Sequence, residues 1–131
     1  MPAPAPLRTD GAEDETIRAV PLDELDLPAL HLIKVNVPGA LVELLAGGAD
    51  SLRRHRPAIY FRLGGVEQAE AEIDALKSLG YRCWSHVPYL YNANNYRREP
   101  RNLFPGCACA NVMATPAEGA YELPGREITP A

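Results

Sequence analysis

The stretch Leu32-Ile33-Lys34-Val35-Asn36-Val37-Pro38-Gly39 constrains this chain more than any other. It is an apolar, β-branched run broken only by Lys34 and Asn36, closed by Pro-Gly and followed by Leu41, Leu44 and Leu45 at i, i+3, i+4 spacing. A run of that kind predicts a strand covered on both faces, a tight turn, and a helix whose leucines pack back onto the sheet. In open α/β sheets such a junction is where ligands sit. Here it offers an amide, Asn36, and no carboxylate before Glu43.

The flanking segments alternate in the same way. Leu22-Asp23-Glu24-Leu25 reads as a helical turn closed by Pro28, and Gly47-Gly48 interrupts the helix that begins at Leu41. Asp50 or Ser51 is expected to cap a further turn through His55. Ala58-Ile59-Tyr60-Phe61 predicts the next buried strand. Val66, Ile73, Leu76 and Leu79 fall at helical spacing with Glu67, Glu70, Glu72 and Asp74 turned to solvent, and Gly80 stands where a helix C-terminus favours a left-handed residue. Tyr81 to Val87 predicts a third strand and Cys109 to Thr115 a fourth, ended by Pro116. Two strands with no helix between them imply an α/β fold of parallel strands ending in an antiparallel pair.

With 131 residues, 47% of them hydrophobic, the chain fits one globular domain, and a formal charge of −4 gives no electrostatic reason to expect nucleic acid or an anionic membrane as partner. No charge-free apolar run reaches the ~18 residues of a bilayer span. The Met-Pro-Ala-Pro-Ala-Pro start has neither a basic segment nor an apolar core, so no secretory signal is read there and a cytoplasmic location is expected. Residues 1–18, Pro- and Ala-rich and then acidic, are expected to be a disordered tail, 19–117 the α/β domain, and 118–131 a flexible tail. Cys107 and Cys109 form C-x-C. Without a second Cys or His pair at finger-like spacing, they are expected to be reduced thiols near a strand, and no metal is expected.

The connection from Tyr89 to Pro105 is long and carries four asparagines, three tyrosines and three arginines. Such a surface suits a polar acceptor such as a sugar, or else it is a loop tied down by asparagine turns. Asn92, Asn95, Tyr96 and Asn102 are the candidate substrate contacts. His86 is a candidate proton shuttle toward an acceptor, against the alternative of a satisfied core histidine. Asn36, which either caps a turn or meets a ligand, matches an aspartate in shape but cannot act as a general base.

Several motifs occur in an order that resembles the FkbM family of S-adenosylmethionine-dependent methyltransferases. They are Val20-Pro21-Leu22-Asp23-Glu24-Leu25, the stretch from Leu32 to Gly39, Arg53-Arg54-His55-Arg56-Pro57-Ala58-Ile59-Tyr60, Leu79-Gly80-Tyr81-Arg82-Cys83-Trp84-Ser85-His86, and Leu90-Tyr91-Asn92-Ala93-Asn94-Asn95-Tyr96 through Asn102-Leu103-Phe104. The likeness runs from about Thr16 to Pro116 and covers that family's C-terminal half. It implies a partial Rossmann-like methyltransferase fold, O-methyl transfer to a small-molecule or glycan hydroxyl, and S-adenosylmethionine as cofactor, with Asn36 and Gly39 at the vestige of its site.

Two departures qualify what the resemblance implies. The family's glycine-rich turn after its first strand and its acidic residue after the second have no counterpart here, since no Gly-x-Gly precedes Asn36. Where the family reads Ile-Lys-Ile-Asp-Val-Glu-Gly and then another Glu, this chain has Asn36, Pro38 and Leu41; where a Glu is usual near the end of the next strand, it has Arg62. Pro38 also removes a backbone donor. A chain of this kind is expected to be inactive alone. The strand from Ile33 to Val37, lacking the family's neighbouring strand, is expected to form an open edge that pairs with a second copy or with a separately encoded N-terminal half. The alternatives are a non-catalytic binding or assembly module and a degenerate gene fragment.

Overall fold

A computed structural model describes residues 18–129. Its elements are β1 (Leu32–Val35), α1 (Leu41–Gly47), α2 (Ala49–His55), β2 (Ala58–Arg62), α3 (Val66–Ser78), β3 (Tyr81–His86), β4 (Asn111–Pro116) and β5 (Arg126–Glu127), with 3-10 turns at Leu22–Leu25 and Ala117–Gly119. The protein is a mixed α/β fold built on a five-stranded sheet of order β1-β2-β4-β3-β5. β1 and β2 are parallel, whereas β4 runs antiparallel to both β2 and β3, and β5 antiparallel to β3. It follows that β1, β2 and β3 share one direction and end at one edge of the sheet. No helix among the described residues is long and apolar enough to cross a membrane.

The core lies on one face. Ile33, Ile59, Ala114 and Cys83 line up across four strands, and Val35, Phe61 and Val112 form the next row. Leu41 and Leu45 of α1, Leu52 of α2, and Ile73 and Leu76 of α3 all pack against those rows. On the other face Leu32, Lys34 and Arg62 are exposed, and Tyr60, Met113 and His86 are half-buried. The expectation that β1 is covered on both faces is therefore corrected. Its burial alternates, with Val35 inside and Leu32 and Lys34 outside, because the helices collect on a single side.

Local capping explains the helix starts. The expected cap of α2 by Asp50 or Ser51 is replaced by one from outside the helix, since Asp23 Oδ2 accepts from the Asp50 N–H at 3.1 Å and Oδ1 from the Ser51 N–H at 2.8 Å. Hydrogen bonds from the side chain and backbone of Ser51 hold the Asp23 carboxyl below its usual range. The same turn seats Leu22 against Gly48, where an added Cβ would lie 2.8 Å from Leu22 Cδ2 and 3.2 Å from Leu44 O, so a larger residue there requires Leu22 to shift.

In α3 the buried residues are Glu72, Ile73 and Leu76. Val66, expected inside, is 94% exposed because it occupies the first position of the helix, and Leu79 is exposed at its C-terminus. Gly80, at φ +76°, closes the helix with its N–H on Lys77 O at 2.9 Å, as its position predicts.

The expected tail at residues 1–18 lies outside the described residues but for Arg18. Of the tail expected over 118–131, residues 118–129 are described. Arg82 Nε and Nη2 donate to Glu127 at 2.8 Å each, and the Ile128 N–H donates to Cys83 O at 2.8 Å, so this segment adds β5 to the sheet.

Candidate functional site

The edge where β1, β2 and β3 end carries most of the residues singled out from sequence. Register places Arg62, Asn111 and His86 side by side across β2, β4 and β3, with Tyr60, Met113 and Trp84 forming the row beneath. Asn36 lies one residue past the end of β1, at the same edge. Both rows belong to the face without helices, which leaves Arg62 exposed and His86 half-buried.

Two polar contacts organise this row. Tyr60 Oη and His86 Nδ1 are 3.0 Å apart, with the rings edge-to-face at 5.8 Å between centroids. That bond orients the imidazole and occupies Nδ1, so Nε2 is the ring nitrogen left for other contacts. Asn111, buried, donates from Nδ2 to Cys109 O at 3.2 Å. Neither Tyr60 nor Asn111 is visible as a site residue from sequence, because an apolar strand hides the alternation that turns Tyr60 and Arg62 outward together.

The structure separates the two candidate catalytic residues. Asn36 and His86 stand three strand spacings apart, about 14 Å at the backbone, so no single reacting atom lies within hydrogen-bond reach of both. Asn36 is exposed. Gly39 adopts φ +82°, and the space beside it is occupied by Gln68, whose Oε1 would lie 2.9 Å from an added Cβ.

The long loop leaves β3 and returns to β4 at this same edge, bridged by Tyr89 and Ala108. Three of its four asparagines bond within the loop through their side chains. Asn92 Oδ1 accepts from the Asn94 N–H at 2.9 Å and Asn102 Oδ1 from the Phe104 N–H at 2.8 Å. Asn95 Nδ2 donates to Asn92 O and Glu99 O, while its Oδ1 accepts from the Glu99 N–H at 3.0 Å. These are local turns of the kind asparagine favours. Tyr96 projects fully into solvent, and Tyr89, Leu103 and Phe104 are exposed as well.

A carboxylate does occur near this edge, on an element where sequence placed it in solvent. Glu72 of α3 is 1% exposed; its Oε2 accepts from the Gly64 N–H at 3.2 Å, and its Oε1 has no partner among the described residues. Gly64 follows β2, so Glu72 reaches the turn beside the parallel pair. Cys107 is exposed and Cys109 half-buried, just before β4, whereas burial pushes the Cys83 thiol up to about 11. Among the described residues, no group of three or more His, Cys, Asp and Glu side chains is placed to hold a metal ion. Comparison with protein-family models, with curated proteins and with solved structures gives no match for this chain.

Proposed function

We propose that this chain is the C-terminal half of an FkbM-type S-adenosylmethionine-dependent methyltransferase domain, acting on a hydroxyl only when a second polypeptide supplies the cofactor cradle. Strand order carries the proposal. Two parallel strands, β1 and β2, are followed by a third in the same direction, with the last long strand inserted antiparallel between β2 and β3. That arrangement supports the resemblance drawn from the motifs between Val20 and Phe104, on which reading the cofactor-bearing half would stand beside β1, the margin of the sheet among the described residues.

The residues present do not fit the cofactor by themselves. Asn36 offers one exposed amide, Pro38 lacks an N–H, Gln68 fills the space at Gly39, and Glu72 is enclosed. No step through the cofactor is derived for this chain alone. On the acceptor side, His86 held by Tyr60, together with Arg62, is the group best placed to orient a hydroxyl-bearing substrate.

Calorimetry with S-adenosylmethionine tests the first part: no saturable heat is expected from the chain alone, and saturation at micromolar ligand overturns the claim of a missing cradle. Mixing the chain with the separately produced N-terminal half of an FkbM methyltransferase tests the second. A complex that then binds S-adenosylmethionine is expected, and failure of the halves to associate counts against the assignment. A non-catalytic assembly module is the second reading, favoured by the exposed Tyr89, Tyr96, Leu103 and Phe104 on a loop whose asparagines bond to the loop itself. Retention of the halves' association without any acceptor methylation, across glycan and small-molecule hydroxyls, would favour it.

A further inference from the structure

The helix-free face beside the His86 row carries two cations with nothing set against them. Lys34 pairs with Tyr60 across β1 and β2, and Arg62 stands two residues further along β2 on the same face. They are therefore diagonal neighbours, about 8 Å apart at the backbone, close enough for both long side chains to reach one atom. Both are exposed, and neither side chain forms an ion pair among the described residues. Like charges so placed repel each other unless an anion comes between them. The strands offer none: register puts one carboxylate on this face, Glu127, and it already accepts from Arg82 Nε and Nη2 at 2.8 Å each. The acidic residues of α1 and α3 belong to helices on the opposite side of the sheet.

A second polar position lies within the same span. Arg62 pairs with Asn111 and Asn111 with His86, so His86 stands two strand spacings from Arg62, about 10 Å at the backbone. Tyr60 bridges that gap. Its hydroxyl lies 3.0 Å from His86 Nδ1, leaving Nε2 for a guest, and its half-buried ring offers an apolar face between the cations and the imidazole. A guest held at both ends carries its negative group one sugar ring away from a hydroxyl.

We infer that the acceptor is an anionic sugar, its phosphate or carboxylate between Lys34 and Arg62 and a ring hydroxyl at His86 Nε2. This rests on the acceptor role given to His86 above, but binding needs neither the cofactor nor a second polypeptide, so the two readings fail separately. Glucose 1-phosphate and glucuronate, with glucose and inorganic phosphate as comparisons, are titrated into the 15N-labelled chain at about 0.15 M salt, where weak surface attraction is screened. The amides of Lys34, Tyr60, Arg62 and His86 are expected to shift and saturate, with a Kd of about 1 mM or tighter for one of the two anionic sugars and about tenfold weaker for glucose and for phosphate alone. The tighter of the two sugars tells phosphate from carboxylate.

Lys34→Gln and Arg62→Gln, both at exposed positions, are each expected to weaken that sugar about tenfold without disturbing the fold, and His86→Gln to remove its advantage over phosphate alone. Absence of any saturable shift up to about 10 mM overturns the inference. So do glucose binding as tight as that of the anionic sugars, affinity unchanged in both variants of the cations, and shifts confined to Arg97, Arg98 and Arg101 of the long loop. Anionic-sugar binding by a chain that fails to associate with an FkbM N-terminal half would support the site while counting against the methyl-transfer reading.

Discussion

Glu72 and Cys83 sit on the same covered side of the sheet, and each makes a separate demand on it. Glu72 keeps one carboxylate oxygen on the Gly64 N–H and one unpartnered among the described residues. A half-satisfied buried carboxylate is a poorer occupant than an apolar side chain of like volume, so Glu72→Leu is expected to raise the unfolding free energy by about 1–3 kcal/mol. Glu72→Gln, which retains an acceptor for Gly64, should fall between the two. Urea unfolding measures both, and destabilisation by Leu would mean that loss of the acceptor for the Gly64 N–H outweighs the relief of the unpartnered Oε1. Cys83, its thiol raised to about 11 by burial, is expected to resist iodoacetamide at pH 8 in the native state, while the exposed Cys107 is alkylated. Peptide mass spectrometry before and after denaturation distinguishes them. Leu41, Leu45 and Gly80 were legible because period and backbone conformation alone decide them. Glu72 was not: its side-chain type argues for water, whereas its place one residue before Ile73 and four before Leu76 puts it on the inner stripe.

Between elements, Arg56 ties the end of α2 to the end of α3 and to Glu118 after β4. Its backbone is left-handed at φ +50°, ending α2, while its guanidinium reaches Glu118 and donates to Leu79 O at 2.8 Å and Gly80 O at 3.2 Å at the end of α3. It also lies over the Tyr81 ring, 4.6 Å from the centroid. Arg56→Ala removes these contacts together and is expected to cost about 1–2 kcal/mol by chemical denaturation. The hydrogen bond from Arg56 holds the Glu118 carboxyl at about 2, below its ordinary 4.5. Because the folded value is the lower one, this stabilisation is complete above about pH 4.5 and is lost as pH falls toward 2. The Asp23 cap, also depressed, adds to the same acid limb. Urea midpoints recorded down that range should decline, and Glu118→Gln should flatten part of the decline. The elements themselves were largely readable, since Pro38-Gly39, Gly47-Gly48 and Gly80 punctuate them. The caps were not, because Asp23 and Arg56 act across tens of residues that no local pattern connects.

At the scale of the whole molecule, β1 is the edge strand of the sheet that the described residues form. The Ala58 N–H bonds to His31 O, so in this parallel register the N–H and C=O groups of Ile33 face β2 and those of Leu32 and Lys34 face outward. An edge of this kind, beside the exposed Leu32, is open to pairing with another strand, although Lys34 moderates it. Lys34→Pro removes only an outward donor. It is expected to leave the fold intact by circular dichroism and to abolish any self-association or pairing with an N-terminal half seen by light scattering; persistence of the complex would exclude β1 as the contact. The α/β class followed from alternation along the chain. The position of β4 did not, because sequence order identifies which segments are strands and says nothing of which one is inserted between two earlier ones.

That insertion has a consequence during synthesis. Among the described residues β2 and β3 share no ladder of their own; each pairs with β4, whose residues Asn111–Pro116 leave the ribosome about fifty residues after β2. Until they emerge, α3 has only unclosed strands on which to pack, and pairing across about fifty residues must then close in one step. The nascent chain is therefore expected to generate folding force on an arrest peptide only once β4 has cleared the exit tunnel.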